Sequence, residues 1–197
     1  MAKDKARYGL IIFLLLTGVG LLASGGYLYL AQPKAERIDW TLTLVGKEGE
    51  REIGFEELTK MQAWDGKGGF FTTVGMVNGP FSCKGVLVEY LCSLVGGITP
   101  EDCLWVWAPD GYSMVFSYEQ VKGDFVAYDP QTMKEVPAKD LKMILMYEQD
   151  GATLKEEDGR PLRIAIVSPH YLLTEGHYWV KWVNKIEVRP LLGGSGE

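Results

Sequence analysis

Two cations stand where a strand would ordinarily carry apolar side chains. Arg163 lies inside Leu162-Arg163-Ile164-Ala165-Ile166-Val167, and Lys181 stands between Val180 and Trp182 with Trp179 adjacent. A charge buried without a partner costs several kcal/mol. Each of the two therefore calls either for a carboxylate in a structural ion pair or for an anionic ligand. Asp110, in Pro109-Asp110-Gly111-Tyr112, is a third ionisable group at a marked position. Its residue type and neighbours make it a turn former, with Tyr112 just beyond.

Other chemistry is scarce. The chain has no Gly-x-x-x-x-Gly-Lys-Ser/Thr or Gly-x-Gly-x-x-Gly phosphate cradle, no Gly-x-Ser-x-Gly elbow, no His-Glu-x-x-His and no Cys-x-x-Cys. Its two histidines, His170 and His177, have no cysteine near them in sequence and read as loop residues rather than a zinc pair. Cys83, Cys92 and Cys103 follow no metal or redox spacing. They read as small buried hydrophobes, although outside the cytoplasm two of them could pair.

The elements that must position these groups alternate mainly at period two. Ile38 to Val45 places Ile38, Trp40, Leu42 and Leu44 on one face of a strand. Gly54 to Met61 repeats Phe55, Leu58 and Met61 at helical spacing. Gly66-Lys67-Gly68-Gly69 predicts a flexible turn before a strand from Phe70 to Val77. Gly85 to Val95 predicts a helix stopped by Gly96-Gly97. Cys103 to Ala108 and Tyr112 to Phe116 form strands about the Asp110 turn. Ser117 with Gln120 predicts a capping box for a short helix, Tyr118 to Val121. Met143 to Tyr147 and Leu162 to Val167 are apolar strands, and Tyr178 to Val188 ends in alternation with Ile186 and Val188 inward. With no regular βαβ order, the fold class is α+β and mostly strand.

Ahead of this domain, Tyr8 to Leu30 runs 23 residues without Asp, Glu, Lys, Arg or His. As a helix it would reach about 35 Å, enough for a hydrocarbon core of about 30 Å. The expected organisation is a short cytoplasmic terminus over 1–7, a transmembrane anchor over 8–31, a linker over 32–37, the domain over 38–190 and a flexible tail over 191–197. A cleaved leader is the competing reading, with Ala23 to Gly26 as its small-residue site. Tyr27 to Leu30 resume the apolar pattern beyond that site, which a discarded leader does not need. Either reading places the domain outside the cytoplasm. From Ile38 onward 24 acidic residues face 15 basic ones. That charge repels phosphate backbones and excludes nucleic acid as a partner class.

Four segments in order carry a resemblance. KGVLVEYLCSLVGG, WAPDGYSMVFSYEQV, MILMYEQDGATLKEEDGRPLRIAIVS and VKWVNKIEV together span roughly Gly85 to Val188. Their succession resembles the molybdopterin-binding oxidoreductase domain of the sulfite oxidase family. The resemblance implies that fold and molybdopterin as cofactor. It places the family's Pro-x-Arg arginine on Arg163 and its Val-Lys-Trp lysine on Lys181, both approaching the cofactor's phosphate and pterin. Asp110 would lie at the mouth of the same pocket with Tyr112 near it.

Two departures stand out. The family holds molybdenum by a cysteine on the segment preceding the Gly85 helix, and here that segment reads FFTTVGMVN. Cys83, two residues before Gly85, could serve only if the loop were rebuilt. The histidine before the family's Gly-x-Pro-x-Arg is Asp158, whose carboxylate would oppose a phosphate. Two functions therefore compete. One is a membrane-anchored extracytoplasmic oxidoreductase working with a membrane-bound electron-transfer partner. The other is a cofactor-free module that binds a small anion or docks a membrane complex.

Overall fold

Alternating strands and tight hairpins set the chain's course. β1 (Thr41–Gly46) turns into β2 (Gly49–Gly54), and the short helix α1 (Phe55–Leu58) follows. β3 (Ala63–Phe71) and β4 (Val77–Leu87) form a long hairpin that runs into α2 (Val88–Ser93). β5 (Asp102–Trp107) and β6 (Ser113–Ser117) flank the Asp110 turn and lead into α3 (Tyr118–Val121). β7 (Ala127–Tyr128), β8 (Glu135–Val136), β9 (Lys142–Gln149) and β10 (Ala152–Thr153) come next. β11 (Arg163–Val167), β12 (Leu173–Glu175) and β13 (Lys185–Pro190) complete the order. The structure, a computed structural model, describes residues 37–138 and 140–191. The chain divides at Arg37/Ile38, and this description concerns the unit from Ile38 onward. The expected anchor over 8–31 and most of the expected tail lie outside the described residues. Among the described residues no helix is long and apolar enough to cross a membrane.

Two sheets result. One has the order β2-β1-β13-β5-β6, with β1 and β13 parallel and its other pairs antiparallel. The other runs β10-β9-β4-β3-β12-β7-β8, with β11 also paired to β9. Lys67 and Ser168 exchange backbone hydrogen bonds, which ties the end of β11 to β3 and curls this second sheet back on itself.

β9 is buried on both faces. Met143, Leu145 and Tyr147 join the larger core, while Ile144 and Met146 join a smaller cluster with Cys83, Leu154 and Trp179. β11 divides the same way: Ile164 and Ile166 face the larger core, Ala165 and Val167 the smaller cluster. By the period of two, Arg163 shares the face of Ala165 and Val167.

The mostly-strand α+β class holds, and several element limits differ from expectation. The capped helix Tyr118–Val121 forms as its sequence predicts: Ser117 Oγ accepts from Gln120 N, and Gln120 Oε1 accepts from Ser117 N. The expected helix from Gly85 begins instead at Val88, and Gly85 to Leu87 finish strand β4. The expected turn at Gly66 to Gly69 is strand β3, which starts at Ala63 and ends at Phe71, so the strand expected over Phe70 to Val77 is interrupted by a hairpin tip. The expected last element keeps only its end as β13, although Ile186 and Val188 do point inward. All three cysteines are free and buried.

Close approach explains the glycines. A Cβ on Gly85 would lie 2.3 Å from the Leu145 carbonyl oxygen, and one on Gly68 would lie 2.5 Å from that of Ile166. These glycines admit a neighbouring strand rather than loosen the chain. We expect Gly85→Ala to destabilise the fold by at least about 1–3 kcal/mol, because the obstacle is backbone that cannot rotate away. Gly54→Ala, whose Cβ would meet nothing within 4 Å, should shift stability by less than about 0.5 kcal/mol. Urea unfolding of the two variants checks the contrast.

Candidate functional site

One end of the domain holds a cleft of about 450 Å³. Arg163 reaches it from β11, and Lys181 with Trp182 from the segment between β12 and β13. Asp110 and Tyr112 border it from the β5–β6 turn, and Thr72, Met76 and Asn78 from the β3–β4 hairpin. Phe70, His177 and Trp179 complete most of the wall. Parallel pairing of β1 with β13, and the Lys185↔Trp107 register of β13 with β5, bring these loops to one end.

Arg163 is 2% exposed, yet among the described residues no carboxylate lies within ion-pair distance of it. Its guanidinium sits 4.8 Å from the Phe70 ring centroid and 5.4 Å from that of Trp179. It donates from Nη1 to the Asp158 carbonyl at 3.2 Å and from Nε to the Trp179 carbonyl at 3.4 Å. Trp179 is itself fixed, its Nε1 donating to the buried Thr174 hydroxyl. A guanidinium carries five donor hydrogens, so two carbonyls and two ring faces leave it short of acceptors and of a countercharge. Burial pulls its pKa down to about 10, while the Asp158 carboxylate and Cys83 oppose that fall. It remains a cation at neutral pH.

Lys181 adds a second charge. Its Nζ donates to the Glu157 carbonyl and lies 5.7 Å from the Trp182 ring centroid, with no carboxylate of the described residues in ion-pair range. Burial lowers its pKa, the nearby Arg163 charge lowers it further, and Asp158 and Glu157 oppose. Two cations in one cleft, the buried one depressing the other, are the electrostatic form of an anion site. Gly159 lets the two loop segments of this wall meet: its φ is +99°, and a Cβ there would stand 2.7 Å from Lys181 Cβ.

The other buried charged residue among those described offers a contrast. Asp102, 2% exposed, accepts from Thr99 N at 2.8 Å and Thr99 Oγ1 at 2.6 Å, and lies 2.7 Å from Lys47 Nζ. Burial alone would raise its pKa, but these hydrogen bonds outweigh it and hold the carboxyl low. The same domain thus satisfies a buried anion fully and leaves a buried cation open.

The remaining sequence candidates fall as follows. Asp110 caps its own turn, its Oδ1 accepting from Tyr112 N at 2.9 Å, and both residues are exposed at the cleft mouth. Cys83 does not line the cleft. It belongs to the smaller cluster and to the wall of a separate depression with Asp65, Lys67 and Ser82. Burial pushes its thiol up to about 12, Asp150 adds to that and Arg163 opposes it. Without a metal beside it, such a thiol stays protonated at neutral pH. Asp158 contributes its carbonyl to Arg163, and its carboxylate raises the pKa of that guanidinium without reaching ion-pair distance. His177, read from sequence as a loop residue, is on the cleft wall with Nδ1 3.3 Å from Glu175 Oε2. Nothing local marks Phe70 or Trp179 as a guanidinium's neighbours, since an aromatic in a strand ordinarily means core. Among the described residues no group of three His, Cys, Asp or Glu is arranged to hold a metal ion.

The fold and this cation-walled cleft define a class. The sequence profile of the oxidoreductase molybdopterin binding domain matches residues 84–191, more than half of the chain, and the chain belongs to that family. The match begins after the hairpin tip that supplies Thr72, Met76 and Asn78. Among solved structures, the chain is similar to the sulfane dehydrogenase SoxCD from Paracoccus pantotrophus, with 18% identity and a TM-score of 0.59. That similarity covers 79% of this chain and 39% of the other, and it speaks to the fold alone. No match was found among curated proteins.

An open buried cation should cost stability that a neutral side chain recovers. Arg163→Met is expected to leave the unfolding free energy unchanged or raise it by about 1–3 kcal/mol. Asp102→Ala should lower it by about 2–3 kcal/mol, since it removes charge-assisted hydrogen bonds. Urea unfolding in a buffer free of phosphate and sulfate checks both signs.

Proposed function

We propose that this chain is an anion-binding member of its family, in which Arg163 and Lys181 hold a phosphate-type group and no cysteine of the cleft holds molybdenum. The observation that carries the reading is the nearly inaccessible Arg163, with no carboxylate partner among the described residues, beside Lys181 in one cleft. The phosphate of molybdopterin suits that wall, because charge-assisted hydrogen bonds from a planar guanidinium and an ammonium are what a dianion needs. The metal end does not find its ligand. Thr72, Met76 and Asn78 border the cleft where the family's thiolate would be expected, and Cys83 is buried elsewhere. Molybdopterin, where bound, would bring electron or oxygen-atom chemistry that no side chain here supplies. The chain's own residues bind and orient the anion, and the Phe70 and Trp179 faces keep water from the guanidinium.

The domain carries out this binding on the outer side of a membrane, held by the helix expected over 8–31. The 23-residue uncharged run supports this, as do Lys3, Lys5 and Arg7 before it. A membrane-bound partner that the domain docks, or exchanges electrons with, is consistent with such a tether.

Purified from cells able to make the cofactor, the chain should contain no stoichiometric molybdenum or tungsten by elemental analysis. Near one atom per chain would sink the proposal. Inorganic phosphate binding, followed by calorimetry, should weaken at least about tenfold in Arg163→Ala, the worth of one charge-assisted hydrogen bond. Lys67→Ala, a surface charge outside the cleft, should change it little, and equal losses would refute the cleft assignment. For the tether, the full chain should stay in the membrane pellet through alkaline carbonate and be cut by protease added outside; release by carbonate would refute it.

A further inference from the structure

The hairpin that closes one side of the cleft is uncharged over a long stretch. From Gly68 to Cys83 no Asp, Glu, Lys, Arg or His occurs. At its tip Val74 is 79% exposed and Met76 63%, and across the cleft mouth Tyr112 is 47% exposed. These are large apolar side chains held in water at the rim of a binding site, which soluble surfaces ordinarily avoid as a group.

The tip is firmly built. Thr72 N donates to the Met76 carbonyl, Gly75 N to the Thr72 carbonyl, and Met76 N to Thr72 Oγ1. Three of its backbone amides and two of its carbonyls are thus satisfied internally, which holds the tip in shape.

The chain also enters the domain at this end. Trp40 Nε1 donates to the Val183 carbonyl at 2.9 Å, and Val183 follows Trp182 of the cleft wall. Residues 32–37, between the uncharged run and the first residues of the domain, number six and span at most about 20 Å fully extended.

We propose that the face around the cleft mouth rests on the bilayer, with Val74 and Met76 dipping into the interface and Tyr112 beside them. The proposal rests on the tether reading given above. Three apolar side chains alone would bind lipid weakly, but a short tether raises their effective concentration at the surface. The contact is apolar in kind, because an acidic domain gains nothing from anionic headgroups. The cleft then opens along the membrane surface, and its anion is taken from there.

The test uses the full chain in phosphatidylcholine vesicles, with Val74→Cys or, at the opposite end of the first sheet, Glu119→Cys carrying an environment-sensitive fluorophore. The native cysteines are buried, and burial pushes Cys83 and Cys92 up to about 12, so the label goes to the introduced thiol. A blue-shifted emission at position 74, quenched by nitroxide on the lipid and shielded from iodide, is expected, with an aqueous signal at 119. Equal aqueous signals at the two positions, in a chain that resists carbonate, would overturn the docking and leave the tether standing. Shielding of position 74 in native membranes but not in pure lipid would assign this face to a protein and also overturn it. Extraction by carbonate would remove the tether, and this inference with it.

Discussion

A guanidinium without a countercharge organises this end of the domain. Arg163 is buried because its strand is buried: β11 packs Ile164 and Ile166 into one cluster and Ala165 and Val167 into another. Nothing on its own strand can neutralise it. The surroundings offer aromatic faces and carbonyl oxygens, which soften the loss of water without cancelling the charge. Phe70, Trp179 and the loop at Asp158 are arranged around that need, and Lys181, a second cation, is set where it makes the need greater. A fold selected for stability alone would place a neutral side chain here. The domain does satisfy its other buried charged residue, Asp102, so the exception at Arg163 points to a ligand.

Membership of the oxidoreductase molybdopterin binding domain family fits that exception, since a phosphate-bearing cofactor is one ligand that would complete it. The family's redox chemistry does not follow from membership. Fold supplies the frame, and activity depends on the groups at the site. The cleft keeps the cationic wall and carries Thr72, Met76 and Asn78 on the hairpin side. In the proposed reading binding and redox chemistry come apart, because different elements carry them: the cationic wall lies on β11 and the segment before β13, and the side with Thr72, Met76 and Asn78 lies on the β3–β4 hairpin.

How much of this was legible in sequence depends on the range of the interaction. Local rules succeeded where a residue's neighbours decide its state. The Ser117–Gln120 capping box formed and the Asp110 turn formed through its own carboxylate; period-two alternation located β1, the turn located β5 and β6, and apolar runs located β9 and β11, each to within a few residues. They failed at Gly66 to Gly69 and at Gly85. Glycine there answers a backbone far away in the chain, at Ile166 or Leu145, and local reading takes it for a turn or a helix start.

By itself the sequence determined the strand-rich class, the unusual cations Arg163 and Lys181, and the lack of a cysteine in FFTTVGMVN. These follow from residue type and short-range order. Only the tertiary structure decided that Arg163 has no carboxylate partner among the described residues and that Lys181, Asp110, Tyr112 and His177 border the same cleft. It also decided that Cys83 is turned into a separate cluster. Ion pairing, burial and shared solvent space arise from segments that the sheets bring together, and no spacing along the chain encodes those distances directly.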